Sequence, residues 1–218
     1  MAQPAVKISN RGRAASRELR RQQLINATID SISKRGFSGT TLATVTKSLK
    51  LSHGIVNYHF ASKEALYVET LVFLAEEHYS HWHGAMRNAG LDPARQLAAI
   101  IETDFHRTIA SPKKLAVWFA FWGQAKYRPN YMQINTKYDD ERFAELARLC
   151  TEIVADGSYG HLDPMVVARS IEALVDGLWL NLLLYPNGTD RAEARGDCFS
   201  YLAEVFPDHF PNRSTTSG

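Results

Sequence analysis

The sequence predicts an all-α protein in which a small N-terminal domain of three helices is joined by a long helix to a larger helical domain. Apolar residues recur three and four positions apart along most of the chain, and period-two alternation with hairpin dipeptides is absent. Residues 1–63 contain 11 Lys and Arg against 2 Asp and Glu, a net +9. Residues 64–218 contain 14 against 21, a net −7, so the two parts differ in charge. Prolines stand at the predicted joints between helices, where proline is tolerated: Pro93, Pro112, Pro129, Pro164 and Pro186.

Composition places the chain among globular proteins. Its 218 residues are 45% apolar, which is enough to bury a sizeable core. No run approaches the roughly 18 apolar residues of a transmembrane helix, and the start MAQPAVKISNRGRAAS lacks the apolar core of a secretory signal. A cytoplasmic protein without membrane contact is therefore expected. Cys150 and Cys198 are far apart and lack CxxC spacing, which favours packing thiols over a disulfide.

Helix signals follow one another through the N-terminal part. A first helix is predicted over residues 17–35, because Leu24, Ile29 and Ile32 share one face and Gly36 is placed to end it. Thr40 or Thr41 then begins a second helix. A short third helix begins after a serine, SHGIVNYHF, and a further serine precedes a long fourth helix. The second and third helices are joined by a tight link, which is the helix-turn-helix pattern.

The remaining chain is predicted to contain five more helices. They are expected at residues 93–109, 112–126, 129–156, 163–185 and 190–206. Polar and basic composition predicts disorder at both ends of the chain. The predicted boundaries are a disordered basic arm at 1–15, a helix-turn-helix domain at 16–63, a larger helical domain at 64–210 and a disordered tail at 211–218.

The basic N-terminal domain is expected to bind double-stranded DNA. In a helix-turn-helix the second helix of the motif lies in the major groove, and neighbouring groups hold phosphates. Ser52 and His53 would face base edges first, whereas Tyr58 and His59 would hold phosphates and Lys63 would add a cation. The alternative is that Tyr58 and His59 pack against the first helix. The predicted DNA contacts are Thr40, Thr41, Ser52, His53, Gly54, Asn57, Tyr58, His59 and Lys63.

The stretch RRQQLINATIDSISKRGFSGTTLATVTKSLKLSHGIVNYHFASKEAL resembles the DNA-binding domain of TetR-type transcriptional repressors. Its most specific part is GIVNYHFASKEAL. The segments AVWFAFWGQAKYRPNY and SIEALVDGLWLNLLL are similar to those of BetI-type repressors, which answer to choline in the glycine betaine pathway. The resemblance covers about residues 17–207 and implies a homodimer whose ligand domain changes the spacing of two DNA-reading heads. One departure is the order Tyr58-His59-Phe60, where the subgroup has His-Tyr-Phe.

Aromatic residues of the larger domain form a candidate ligand site. A quaternary ammonium donates no conventional hydrogen bond and binds best against aromatic faces. Trp118 and Trp122 share a helical face, and an acidic group, with Asp104, Asp139 and Asp176 as candidates, would complete the site. The alternative is an ordinary aromatic core. The predicted effector contacts are Asp104, Trp118, Phe121, Trp122, Tyr127, Tyr131 and Trp179.

The helix at 163–185 is apolar nearly all round, which predicts that it is covered on both sides. We expect it to pair with the helix at 190–206 and their symmetry mates in a homodimer, the alternative being a fully internal helix. No GxSxG, HExxH or P-loop pattern indicates catalysis, and no cofactor or metal is expected. The histidines of HYSHWH are better explained as a packed or solvated face. A helical enzyme or small-molecule carrier is the second hypothesis, and residues 40–63 favour the repressor.

Overall fold

The computed structural model describes residues 10–211, and within them every side chain except those of residues 10–13 and His53. Nine helices lie in this part of the chain, which confirms the predicted all-α class. The chain divides into two compact units, and the division falls within the fourth helix, between Phe73 and Leu74. Most of the predicted disordered arm and nearly all of the predicted tail lie outside the described residues.

The first unit contains three helices and the first part of a fourth. They are α1 (Asn10–Gly39), α2 (Leu42–Ser48), α3 (His53–His59) and α4 (Lys63–Asn88). The predicted face of α1 is buried, since Leu24 and Ile32 are at most 1% exposed. α2 and α3 pack on α1 and on each other, and the core of this unit closes around apolar side chains from all four helices.

α1 begins earlier than predicted. Residues 10–15, assigned to the disordered arm, are helical. Gly36 breaks the helix as expected, at φ 69° and ψ 177°. Such a positive φ is easily reached only by glycine. The chain then resumes helical geometry up to Gly39.

The second unit contains the rest of α4 and five further helices. Four of these begin with a proline, as predicted, and Asp163 and Asp190 accept backbone N–H groups at the starts of the last two. α7 and α8 lie along each other, α8 also contacts α6 and α9, and α5 packs on α7 and α9. The helices are α5 (Pro93–Asp104), α6 (Pro112–Ala125), α7 (Pro129–Asp156), α8 (Pro164–Leu184) and α9 (Arg191–Val205).

α5 is shorter than predicted, ending at Asp104 instead of residue 109. Phe105 leaves helical geometry, and a chain of short turns follows to Ser111, which is extended at φ −77° and ψ 147°. The residue before a proline disfavours helix, so Pro112 helps to end the turns and start α6. This early end leaves Asp104 in the last turn of α5, inside the second unit.

The two cysteines are free thiols buried in the second unit, as predicted. Burial raises the pKa of both Cys150 and Cys198 to about 12. In the described part of the chain, none of the helices is long and apolar enough to cross a membrane.

Candidate DNA-binding surface and effector pocket

α3 presents a polar face to solvent. Val56 is fully buried and anchors the helix, while Ser52, Gly54 and Asn57 are exposed and Tyr58 is 69% exposed. Ser52 occupies the N-cap position without making a side-chain capping bond, so its hydroxyl is available to another partner. The structure therefore brings four of the predicted DNA contacts to one exposed surface, and it does not describe the side chain of His53.

Thr41 and Thr40 have different roles. Thr41 is exposed and caps α2 through a reciprocal pair of hydrogen bonds with Thr44. Thr40 is completely buried, and its hydroxyl donates to the carbonyl of Gly36 at 2.9 Å and lies within hydrogen-bond distance of the Ser31 hydroxyl, at 3.1 Å. The prediction that Thr40 contacts DNA is therefore wrong, because its hydroxyl is used to join α1 to the start of α2.

His59 is also inside the first unit, where it is only 7% exposed. Burial lowers its pKa, and the neighbouring charges of Arg17, Arg21 and Arg20 lower it further. The imidazole is therefore neutral near pH 7 and offers no charge to a phosphate. The prediction that His59 holds a phosphate is therefore wrong. His59 packs inside the unit, which was the alternative considered from the sequence.

Basic groups flank the exposed face of α3. Arg17 of α1 is exposed, and its guanidinium carbon lies 5.9 Å from the centre of the Tyr58 ring. Lys63 is half-buried, with its Nζ 5.0 Å from the centre of the Tyr67 ring. Arg17 was missed as a candidate contact, although its place in the basic stretch RELRRQQ of the first helix was a usable signal.

The second unit encloses a pocket of about 140 Å³. Its walls come from five helices, and three indole rings stand among six ionisable side chains. Trp118 and Trp122 face it from α6, with ring centroids 6.2 Å apart, and Trp179 faces it from α8. The lining residues are His78, Asp104, Trp118, Trp122, Asp139, Arg142, Glu172, Val175, Asp176 and Trp179.

Asp104 joins the helices around this pocket. Its fully buried carboxylate accepts from Arg142 Nη2 at 2.6 Å and lies 2.9 Å from His78 Nε2. Its backbone carbonyl accepts from Trp179 Nε1 at 3.0 Å. Burial alone would raise the pKa of Asp104, but the Arg142 charge and the His78 hydrogen bond outweigh it and hold the pKa below its ordinary value. The carboxylate is therefore ionised, and it connects α4, α5, α7 and α8.

Negative charge exceeds positive charge in the pocket. Arg142 also donates to Glu172 at 3.0 Å, which leaves Asp139 and Asp176 without a hydrogen-bond donor among the described residues. Withdrawal from water raises the pKa of Asp139, and it raises the pKa of Asp176 to about 6. Both residues nevertheless keep exposed surface at the pocket, so their carboxylates are open to a cationic ligand.

Three of the predicted effector contacts do not line the pocket. Phe121 and Tyr131 are fully buried, and their ring centroids lie 5.2 Å apart in an edge-to-face contact. Tyr127 is 74% exposed in the turn between those helices. The other four predicted contacts do line one pocket, as expected from the sequence. They are Asp104, Trp118, Trp122 and Trp179.

Arg142 and Glu172 were missed as site residues, although a signal for them was present. Glu172, Asp176 and Trp179 are four and three positions apart, which places them on one face of α8. On α7, Asp139 precedes Arg142 by three positions. Asp139, which was one of the candidate acidic groups, lies in the middle of α7 and lines the pocket. Among the three histidines weighed for a metal, His78 instead pairs with Asp104.

A basic helix-turn-helix unit followed by a helical unit with a small-molecule pocket defines the class of ligand-responsive transcription regulators. Residues 24–70 match the family of bacterial regulatory proteins of the TetR type, and residues 93–207 match the C-terminal domain of BetI-type transcriptional repressors. The chain therefore belongs to the TetR family, in its group of BetI-type repressors. The resemblance found in the sequence is confirmed.

Relatives and solved structures agree with this membership. The HTH-type transcriptional regulator BetI 2 of Chromohalobacter salexigens is 31% identical over 192 residues, covering 87% of each chain. BetI of Paraburkholderia xenovorans is 31% identical over 85% of this chain and 93% of its own. The crystal structure of a Pseudomonas aeruginosa PAO1 chain described as a transcriptional regulator is 25% identical, with a TM-score of 0.76 over 88% of this chain and 93% of that one. These relatives are regulators, and this chain is a regulator and not an enzyme.

A further solved structure has the same fold and a named ligand. A chain from Saccharomonospora viridis, described as a transcriptional regulator in complex with choline, has a TM-score of 0.72 over 85% of this chain and 96% of its own. It is 20% identical to this chain, so the likeness is one of fold.

Proposed function

We propose that this protein represses transcription by binding operator DNA as a homodimer and releases the DNA when choline or a closely related quaternary ammonium enters the pocket. The pocket carries the proposal, because three indole rings surround a space bordered by carboxylates that exceed the cations beside them. An ammonium whose hydrogens are replaced by methyl groups is held by aromatic faces at about 0.5 to 2 kcal/mol per contact. The choline complex of a protein of the same fold supports this choice of ligand.

The DNA-binding surface is proposed to consist of the exposed groups around α3. Ser52, His53 and Asn57 would face base edges, and Gly54 would allow the backbone to approach closely. Thr41, Tyr58 and Lys63, with Arg17 beside them, would hold phosphates, which position the protein without reading sequence. A protein with this surface works where the operator is, so we propose that it acts in the cytoplasm.

The homodimer is proposed to form through the helices predicted at 163–185 and 190–206, now α8 and α9. α8 is not fully covered within the chain, since Leu184 is 55% exposed and Met165 and Val166 are 41% and 48% exposed. Leu180, which is 38% exposed, lies one turn before Leu184, and neighbouring exposed apolar side chains of this kind mark interfaces. Leu202 of α9 and Phe206, which follows that helix, belong to the core, since both are at most 1% exposed, so the interface does not use them.

The release step is proposed to pass through α4. This helix contains Lys63 near its start and His78 further along, and His78 binds Asp104 and lies 5.5 Å from the ring of Trp179. A ligand that repositions Trp179 would therefore act on α4, which is continuous with the DNA-binding unit. The ligand can release DNA only to the extent that it binds the released geometry more tightly.

Isothermal titration of the purified protein tests the ligand assignment. Choline is compared with 3,3-dimethylbutanol, which has the same shape without charge, and with ethanolamine, which has N–H donors. We expect choline to bind and the neutral isostere not to bind. Tighter binding of ethanolamine than of choline would indicate that the effector is a protonated amine and not a methylated one. Absence of binding by any cation would reject the proposed ligand class.

Release of DNA is tested separately by mobility shift. A duplex enriched by the protein from a random-sequence pool is bound first, and choline is then added. Loss of the shifted band with choline, but not with 3,3-dimethylbutanol, is the expected result. An unchanged band in the presence of bound choline would show that the ligand does not act as an inducer.

A further inference from the structure

A second, smaller cavity adjoins the effector pocket. It measures about 20 Å³, which is enough for one oxygen-bearing group or one water. Four side chains line both spaces, namely His78, Trp118, Asp139 and Arg142, so the two cavities are neighbours across the same walls. Asn135 of α7 lines only the smaller one.

Two buried polar atoms at this cavity have no partner in the part of the chain that the structure describes. They are Asn135 Oδ1, an acceptor, and Arg142 Nε, a donor. Both residues are 7% exposed. The remaining donors of Arg142 are directed to Asp104 and Glu172, so Nε is the group that those ion pairs leave over. Buried polar groups normally have hydrogen-bond partners. An acceptor and a donor that both lack one indicate a missing group that can donate and accept at the same time.

We infer that the small cavity is a subsite for the hydroxyl group of an amino-alcohol effector whose ammonium group lies among the tryptophans. A hydroxyl donates to Asn135 Oδ1 and at the same time accepts from Arg142 Nε. An aldehyde oxygen only accepts, so it leaves Asn135 unmet. A carboxylate cannot donate and adds negative charge beside Asp139. The inference rests on the proposed function. It means that Asn135 and Arg142 determine whether the site prefers the alcohol, the aldehyde or the acid form of the effector.

The expected order of affinity is therefore alcohol, then aldehyde, then acid. A site built to hydrogen-bond a hydroxyl rejects an analogue that lacks it, because its own buried groups then stay unpaired. A repressor with this order would respond to the alcohol and ignore the fully oxidised product. The competing explanation is a water that fills the cavity permanently, and such a water would give no preference for the hydroxyl.

Titration of the wild-type chain with choline and with ethyltrimethylammonium, which lacks only the hydroxyl oxygen, gives the first test. We expect choline to bind at least about tenfold more tightly. Betaine aldehyde is expected between the two, and glycine betaine at the bottom of the series. Equal binding of choline and ethyltrimethylammonium would overturn the subsite while leaving the quaternary ammonium pocket intact. Failure of every quaternary ammonium to bind would instead reject the proposed function together with the subsite.

The variant Asn135→Leu, which keeps the branched outline of the side chain and removes the acceptor, gives the second test. We expect its choline affinity to fall about tenfold, to the level of ethyltrimethylammonium, and its affinity for ethyltrimethylammonium to change less than about twofold. Gln133→Leu, at an exposed position of the same helix, is the control and should match the wild type. Equal losses for both ligands would show that Asn135 only supports the fold. The wild-type comparison decides the matter if Asn135→Leu does not fold.

Discussion

At the scale of single residues, Asp104 combines a structural and a functional role. Its carboxylate has no exposure to solvent and is held by Arg142 and His78, while its carbonyl holds the indole of Trp179. Removing one member of such a buried network leaves an uncompensated charge, which costs far more than breaking a pair on the surface. Asp104 is therefore a part of the pocket wall that the fold cannot easily lose.

Asp104→Asn should destabilise the protein by about 3 kcal/mol, because the buried Arg142 then keeps Glu172 as its one remaining ion-pair partner and His78 loses the carboxylate it binds. Urea denaturation followed by far-UV circular dichroism gives the free energy of unfolding. The matched control is Glu102→Gln, which breaks an exposed ion pair with Arg195 at 2.9 Å and should cost less than about 1 kcal/mol. Similar losses in both variants would contradict a special role for the buried network.

Asp176 predicts how effector binding depends on pH. Its pKa is raised to about 6, so the carboxyl is mostly neutral at pH 5 and mostly ionised at pH 7. A cation favours the ionised form, so choline affinity should rise about three- to tenfold from pH 5 to pH 7. Titration of Asp176→Asn should give a flatter profile. A wild-type profile without slope would show that Asp176 does not face the bound ligand.

Because folding raises the pKa of Asp176, this residue also makes the stability of the protein depend on pH. The folded form holds its proton more tightly than the unfolded chain, so this group favours folding as pH falls below about 6. Asp104 acts in the opposite direction, because its lowered pKa gives stability above the unfolded pKa that is lost in acid. Asp176→Asn should therefore raise the unfolding midpoint in urea at pH 7 more than at pH 5.

At the scale of elements, α3 depends on its neighbours for its geometry. A helix of seven residues is too short to be stable alone in water, and the buried Val56 and Phe60 hold it in place. This burial also separates its two faces, since His59 points inward while Asn57 and Tyr58 point outward. The residues that can contact DNA are thereby set by the packing of α3 on the rest of the unit.

Lys63→Ala should weaken binding to all DNA sequences and lower the salt slope of log Kobs by about 1, because one phosphate contact is lost. Lys34→Ala removes the same charge from an exposed position of α1 that is not among the proposed contacts, and it is the control. Mobility shifts between about 50 and 200 mM salt measure both slopes. Equal slopes for the two variants would remove Lys63 from the contact set.

The helices were predictable from the sequence because their ends are chemically marked. Proline starts α5 to α8, and aspartate or serine accepts the first N–H groups of α5, α6, α8 and α9. The errors occurred where no such mark exists. The helical geometry of α1 runs through Gly12, a poor helix former, and α5 ends without a glycine or proline directly after it, at Asp104, which contacts α4, α7 and α8. Local signals carry no information on such contacts.

Membership of the pocket was less predictable than the helices. Trp118, Phe121 and Trp122 fall within one helical turn of α6, so spacing assigns all three to similar directions. α6 is covered by α7 and by α8, and only the packed structure shows that Phe121 faces core while the two tryptophans face a cavity. In the same way, the burial of Thr40 and His59 depends on how three helices meet.

At the scale of the whole molecule, the proposed dimer predicts the effect of charge on α8. Leu184→Arg should convert the dimer to a monomer in size-exclusion chromatography with light scattering, because an arginine would be buried without a partner. Binding to a palindromic duplex should fall with it, since two heads are needed to read half-sites about 34 to 36 Å apart. Leu91→Arg is the control, at a leucine that is 96% exposed between α4 and α5. A dimer that survives Leu184→Arg would place the interface elsewhere.

The inertness of Cys150 and Cys198 makes the spacing of the two heads directly measurable. Both thiols are at most 2% exposed and have a pKa near 12, so maleimide probes at pH 7 leave them unmodified. A single cysteine introduced at the exposed Ser48 of α2 would then carry the only label of each protomer. Pulsed electron paramagnetic resonance between two nitroxides so placed would report, in the native background, how far apart the heads stand before and after an effector is added.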